Sequence, residues 1–122
     1  MSASAYYVAH KKLETRTVTL VAPATMCRAI GYNSLQVSTA GARFWGFAEC
    51  GGVAGDRISI VTEGSYPVEA GAAITIGSPL TTDAQGRLVP ATAGQYVGAR
   101  ALGTVGAAGQ FVEVHITREG TL

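Results

Sequence analysis

The chain has 122 residues, of which 48% are hydrophobic and 14% charged, with 16 glycines and a net charge of +1. So neutral a balance argues against a protein that holds nucleic acid through a basic surface, and so apolar a chain is no acidic disordered segment. No apolar run reaches the ~18 residues of a membrane-spanning helix. The opening MSASAYYVAHKKLETR has no apolar stretch behind a positive start, so no secretory signal is expected.

Residues 1–14 read as an extended arm: Tyr6, Tyr7 and Val8, then His10-Lys11-Lys12, with no helical period. Residues 15–122 read as a single β domain. From Thr15 the pattern TRTVTLV alternates with period two and predicts a strand with Val18 and Leu20 on one face. Residues 24–30, behind Pro23 and ahead of Gly31, allow one short helix. Short strands are then predicted at 35–38, 43–50, 57–62, 66–69, 73–76, 87–89, 96–102 and 111–117, separated by glycine-rich turns. That spacing means a small all-β barrel or sandwich. Alternation places Ile58, Ile60, Val112, Val114 and Ile116 inward, with Ile74 and Ile76 as another inward pair. Glu113, His115 and Thr117 are expected to face outward.

The chain also matches itself. Gly46, Gly52, Ala54, Gly55, Ile58 and Ile60 align with Gly98, Gly106, Ala108, Gly109, Val112 and Val114. Upstream, Leu35, Thr39, Ala40 and Gly41 align with Leu88, Thr92, Ala93 and Gly94. One supersecondary unit used twice, over approximately 35–62 and 88–117, explains the pattern.

Catalytic signatures are missing. Lysine occurs only at Lys11 and Lys12, which excludes a phosphate-binding P-loop. His10 and His115 fit no metal-ligand spacing, and there is no Gly-x-Ser-x-Gly elbow. Cys27 and Cys50 fit no zinc or redox spacing and read as buried free thiols. Asp56 and Asp83 sit where turns require Asp. No catalytic residue, cofactor site or metal site is assigned. Beyond Lys12 every basic residue is Arg, and Arg, Trp and Tyr are what interfaces keep. The densest contact material is Arg43, Phe44 and Trp45, which is read as a subunit interface. Strand alternation puts one of the two aromatics in the core and the other in the contact.

The stretch 61–116 carries a family resemblance. It holds Thr62-Glu63-Gly64, Ala70-Gly71 with Ile74, and Gly77, Pro79, Leu80, Asp83, Gly86 and Arg87 in order. It closes on Gly98, Ala101 and Leu102, then Ala108, Gly109, Val112 and Val114. In this order and spacing it resembles the capsid cement, or head decoration, proteins of tailed bacteriophages, departing from them at Arg100, where an apolar residue is usual. The resemblance implies a non-enzymatic protein on the outer surface of the virion capsid. Such a protein clamps neighbouring major capsid protein subunits of the expanded head, commonly as a homotrimer. It implies no nucleic acid, membrane or small-molecule substrate. The arm would then reach a capsid subunit, with Tyr6, Tyr7 and Val8 as anchors. Two other readings are a β-rich attachment or carbohydrate-binding module using Trp45, and a small hydrolase built around His115.

Overall fold

The structure is a computed structural model that describes residues 11–122. It is all-β, with strands β1 (Lys12–Thr19), β2 (Ala29–Ile30), β3 (Gly46–Ala48), β4 (Arg57–Glu69), β5 (Pro79–Thr82), β6 (Leu88–Pro90), β7 (Tyr96–Ala101) and β8 (Phe111–Thr121). All strand pairs are antiparallel, in the order β2-β3-β4-β8-β7-β5-β6, with β1 on the other side of β4. A parallel bridge from Ala70 to Leu88 brings the end of β4 to β6 and nearly closes the sheet into a barrel. No helix forms among the described residues. The segment expected to turn helical instead bridges Ala24 to Gly52 and turns at Cys27, whose φ is 65°. Backbone pairing to β3 offers those amides better partners than one isolated helical turn.

Several boundaries differ from expectation. β1 begins at Lys12, so the last residues read as arm belong to a strand. The two strands expected around 57–62 and 66–69 are one, β4. Segments 35–38 and 73–76 make only single bridges, at Gln36 and Ile74. Ile74 is buried, but Ile76 lies exposed beyond the bridge.

The hydrogen bonds reveal two equivalent units that share β4. In the first, the Leu20 amide donates to the Asp56 carbonyl and the Gly55 amide to the Leu20 carbonyl. In the second, Ala70 donates to Gln110 and Gly109 to Ala70. Ala24 with Gly52 corresponds to Ile74 with Val105, and Val18 opposite Ile58 corresponds to Val68 opposite Val112. Each unit is therefore wider than the sequence match. β1, β2, β3 and the first half of β4 form one; the second half of β4, β5, β6, β7 and β8 form the other. Gly55 and Gly109 hold the same place, with φ of 92° and 89°, where a side chain is strained. Gly46 does not correspond to Gly98: the register pairs Ile30 with Gly46 and Leu80 with Ala99. A bulge between Val97 and Ala99 shifts the glycine by one.

The units differ in one connection. In the first, a tight turn closes with the Gly31 amide on the Leu35 carbonyl. In the second, the turn over 83–87 closes the same way, with the Asp83 amide on the Arg87 carbonyl, but it stands at the end of longer paired strands, β5 and β6, and reaches across to the first unit. There the Gly86 carbonyl accepts from the Ala29 amide, and the Gln85 carbonyl accepts from Gln36 Nε2 (3.0 Å) and Arg28 Nη1 (3.4 Å). Arg28 also pairs with Glu69 at 3.1 Å, and the Glu69 amide donates to the Cys27 carbonyl.

The larger core runs through both units, from Phe44, Phe47 and Val61 to Leu80, Leu88, Val112 and Val114. A smaller one, Val18, Leu20, Ile30, Ala48, Ile58 and Ile60, lies under the first unit. Phe44 packs on Phe47 at 5.1 Å and edge-on to Tyr96 at 5.9 Å, and its ring fills the space above Gly98. A Cβ on Gly98 would lie 2.3 Å from that ring. Gly98→Ala should therefore destabilise the fold by about 1–3 kcal/mol through overpacking. Gly106→Ala, with nothing near its Cβ position, should change stability by less than ~0.5 kcal/mol. Urea denaturation of the two variants checks the contrast.

Candidate protein-contact surface

The loop 31–45 forms a cleft of about 380 Å³ lined among others by Tyr32, Asn33, Val37, Thr39 and Arg43. Local bonds hold it in shape. Asn33 Oδ1 accepts from the Leu35 amide at 3.2 Å. Gln36 Oε1 accepts from the Thr25 amide at 2.7 Å, and Thr82 Oγ1 donates to the Thr39 and Ala42 carbonyls at 3.4 Å. Gly41, with φ of 77°, turns the chain back toward β3.

Three successive residues then take three different roles. Arg43 is exposed, with its guanidinium 5.1 Å from the Tyr96 ring centroid. Phe44 is fully buried. It therefore has no surface to give a partner, and its expected place in a subunit interface is corrected to a core role. Trp45 is half-buried against the smaller core, and the exposed Tyr32 ring stacks on it at 5.8 Å and 19°. Tyr32 was not singled out by sequence; only its pairing with Trp45 in space marks it. The other aromatics expected to make contacts, Tyr6 and Tyr7, and Val8 with them, lie outside the described residues.

Arg118 fastens this surface from behind. Its guanidinium donates to the carbonyls of Phe44, Trp45 and Thr62, and approaches the Tyr32 hydroxyl at 3.4 Å. One side chain of the second unit thereby satisfies three acceptors of the first. No spacing in the sequence marks it, because its partners are backbone atoms distant in the chain.

The remaining polar groups show no catalytic convergence. His115 is exposed on β8, opposite Ser65 and Arg100. Arg100 leaves the otherwise buried β7 outward, to Glu119 at 2.8 Å, which holds the Glu119 carboxyl down to about 2. Cys27 is buried and its thiol pushed up to about 11 by burial, while Cys50 is exposed, against the expectation that both are buried. No group of three metal-ligating side chains occurs among the described residues.

Glu113 is a second correction. Expected to face solvent, it is 8% exposed, and neither carboxylate oxygen has a hydrogen-bond partner. It stands opposite Pro67 on β4, with Leu102 bonded to its carbonyl. Burial raises its carboxyl from 4.5 to about 7.

A match to the family model for phage cement protein covers residues 14–116, and the chain belongs to that family of structural, capsid-associated proteins. The crystal structure of the head fiber gp8.5 N base of bacteriophage phi29 shares the fold, with a TM-score of 0.72 at 21% identity. The alignment covers 89% of this chain and 97% of that one. A search of curated proteins finds no significant match.

The buried carboxyl has a measurable consequence. The folded state holds the Glu113 proton more tightly than the unfolded state, so stability falls as pH rises from about 4.5 through about 7. Glu113→Gln should flatten this slope, raise the melting temperature at pH 8 and stabilise the fold there by at most ~3–4 kcal/mol. Thermal unfolding of both proteins from pH 4 to 8 checks the sign.

Proposed function

We propose that the protein binds the outer surface of the expanded phage head and reinforces contacts between major capsid subunits. The family match carries this reading. An all-β domain whose turns close at glycines supports it. The mechanism is burial of protein surface rather than chemistry. Three copies cluster at a local symmetry axis, and the N-terminal segment of each reaches a neighbouring capsid subunit. The ten residues ahead of Lys11 can extend roughly 33 Å. Tyr6, Tyr7 and Val8 supply the apolar anchors, and an added strand on a capsid sheet edge supplies backbone hydrogen bonds.

Lys11 is bonded to Ser65 through both its amide and its carbonyl, and β1 follows at once. The segment removable without touching the sheet is therefore 2–10. Deleting it should abolish co-sedimentation with expanded heads while leaving the melting temperature within a few degrees. Wild-type protein should bind expanded heads at a fixed stoichiometry and leave unexpanded heads bare. Equal binding by the truncated protein would remove the arm from the mechanism.

A further inference from the structure

We propose that the cleft of loop 31–45 is a recognition site for an acidic side chain of the capsid partner, with Arg43 as the pairing cation and Tyr32 as the apolar wall. This deepens the head-binding reading and rests on it.

Lys12, Arg16, Arg28, Arg87, Arg100 and Arg118 all hold carboxylates. Among the described residues only Lys11, Arg43 and Arg57 hold none, and of these only Arg43 lines the cleft. Its guanidinium is pre-positioned by the Tyr96 ring, which leaves its donor edges without an internal acceptor. No Asp or Glu lines the cleft. Another part of the lining is the exposed Tyr32 ring, held by Trp45. A guanidinium beside a locked aromatic is the composition of interface hot spots, and a cleft of about 380 Å³ takes one or two side chains rather than a whole domain.

The same ion pairs identify whose carboxylate enters. The sequence points Arg43 toward a contact between copies of this chain. Yet Glu14, Glu49, Glu63, Glu69, Asp83 and Glu119 are each paired with a cation, and Asp56 holds the Val53 amide at 2.9 Å. Glu113 is buried. Among the described residues every side-chain carboxylate of a second copy is already engaged or buried, which favours a different protein as the source of the acid. Arg forms bidentate pairs with carboxylates, and an apolar neighbour of that acid would lie against Tyr32.

The test uses the full chain and expanded heads. Arg43→Glu should weaken head binding at least tenfold and Tyr32→Ala severalfold. Arg57→Glu, the same charge reversal outside the cleft, should bind as wild type. Melting temperatures should fall by no more than a few degrees, since Arg43 and Tyr32 are exposed and each gives up mainly one ring contact. Arg43→Gln should also bind with a shallower salt dependence than wild type. Independently of heads, the peptide acetyl-Leu-Glu-Phe-amide should shift the backbone resonances of 31–45, and its Gln counterpart should not. Wild-type binding to heads with unchanged Arg43 variants overturns the cleft and leaves the head-binding reading intact. Peptide shifts without head binding keep the acidic specificity and overturn the head as its source. Neither peptide shifts nor head binding overturns both. Shifts caused by oligogalacturonate but not by the peptide overturn the protein-side-chain assignment in favour of an acidic sugar.

Discussion

Everything in this domain hangs on β4 being one strand in two units. Its first half closes the first unit against β1 and β3, and its second half opens the second unit against β8. The joint is Gly64, at a φ of 98°, where a Cβ would lie 2.1 Å from the Lys11 carbonyl. Only glycine allows β1 to approach so closely while the strand twists from one unit into the next. Because the units share a strand they cannot separate. Their common core and the Arg118 fastening follow from that covalent continuity.

The contact surface is a product of the same junction. Loop 31–45 belongs to the first unit, yet Phe44 inserts over Gly98 of the second, and Arg118 from β8 holds the loop's last carbonyls. With Phe44 pinned inward, Arg43 and Trp45 are turned outward on either side of it. The Tyr96 ring that orients Arg43 also belongs to the second unit. Contacts from both units thus hold the surface in place, which would reduce the ordering cost of association.

Much of this was legible from residues and some was not. The all-β class and the inward faces of Ile58, Ile60, Val112, Val114 and Ile116 follow from period-two alternation. The family was legible from the order of turns and strands between Val61 and Ile116. Alternation failed at Glu113, since the outer face of a strand counts as solvent only if nothing packs beside it. It failed at Ile76, where pairing ends after Ile74. The alignment of Gly46 with Gly98 was a near miss of one residue. The two glycines answer to different neighbours, the Val61 carbonyl in one case and the Phe44 ring in the other. Arg118 and Tyr32 carry no local signal, as each owes its role to groups far off in the chain.

The unequal hairpins make the contact between the two units asymmetric. The long hairpin of the second unit receives Arg28 and Ala29 of the first, but the first unit has only the tight Gly31–Leu35 turn at the equivalent place. It also has Thr19 where the second unit has Glu69, the carboxylate that holds Arg28. The clasp between the units is therefore one-sided: the second grips the first through its hairpin and Glu69, and the first offers no matching grip.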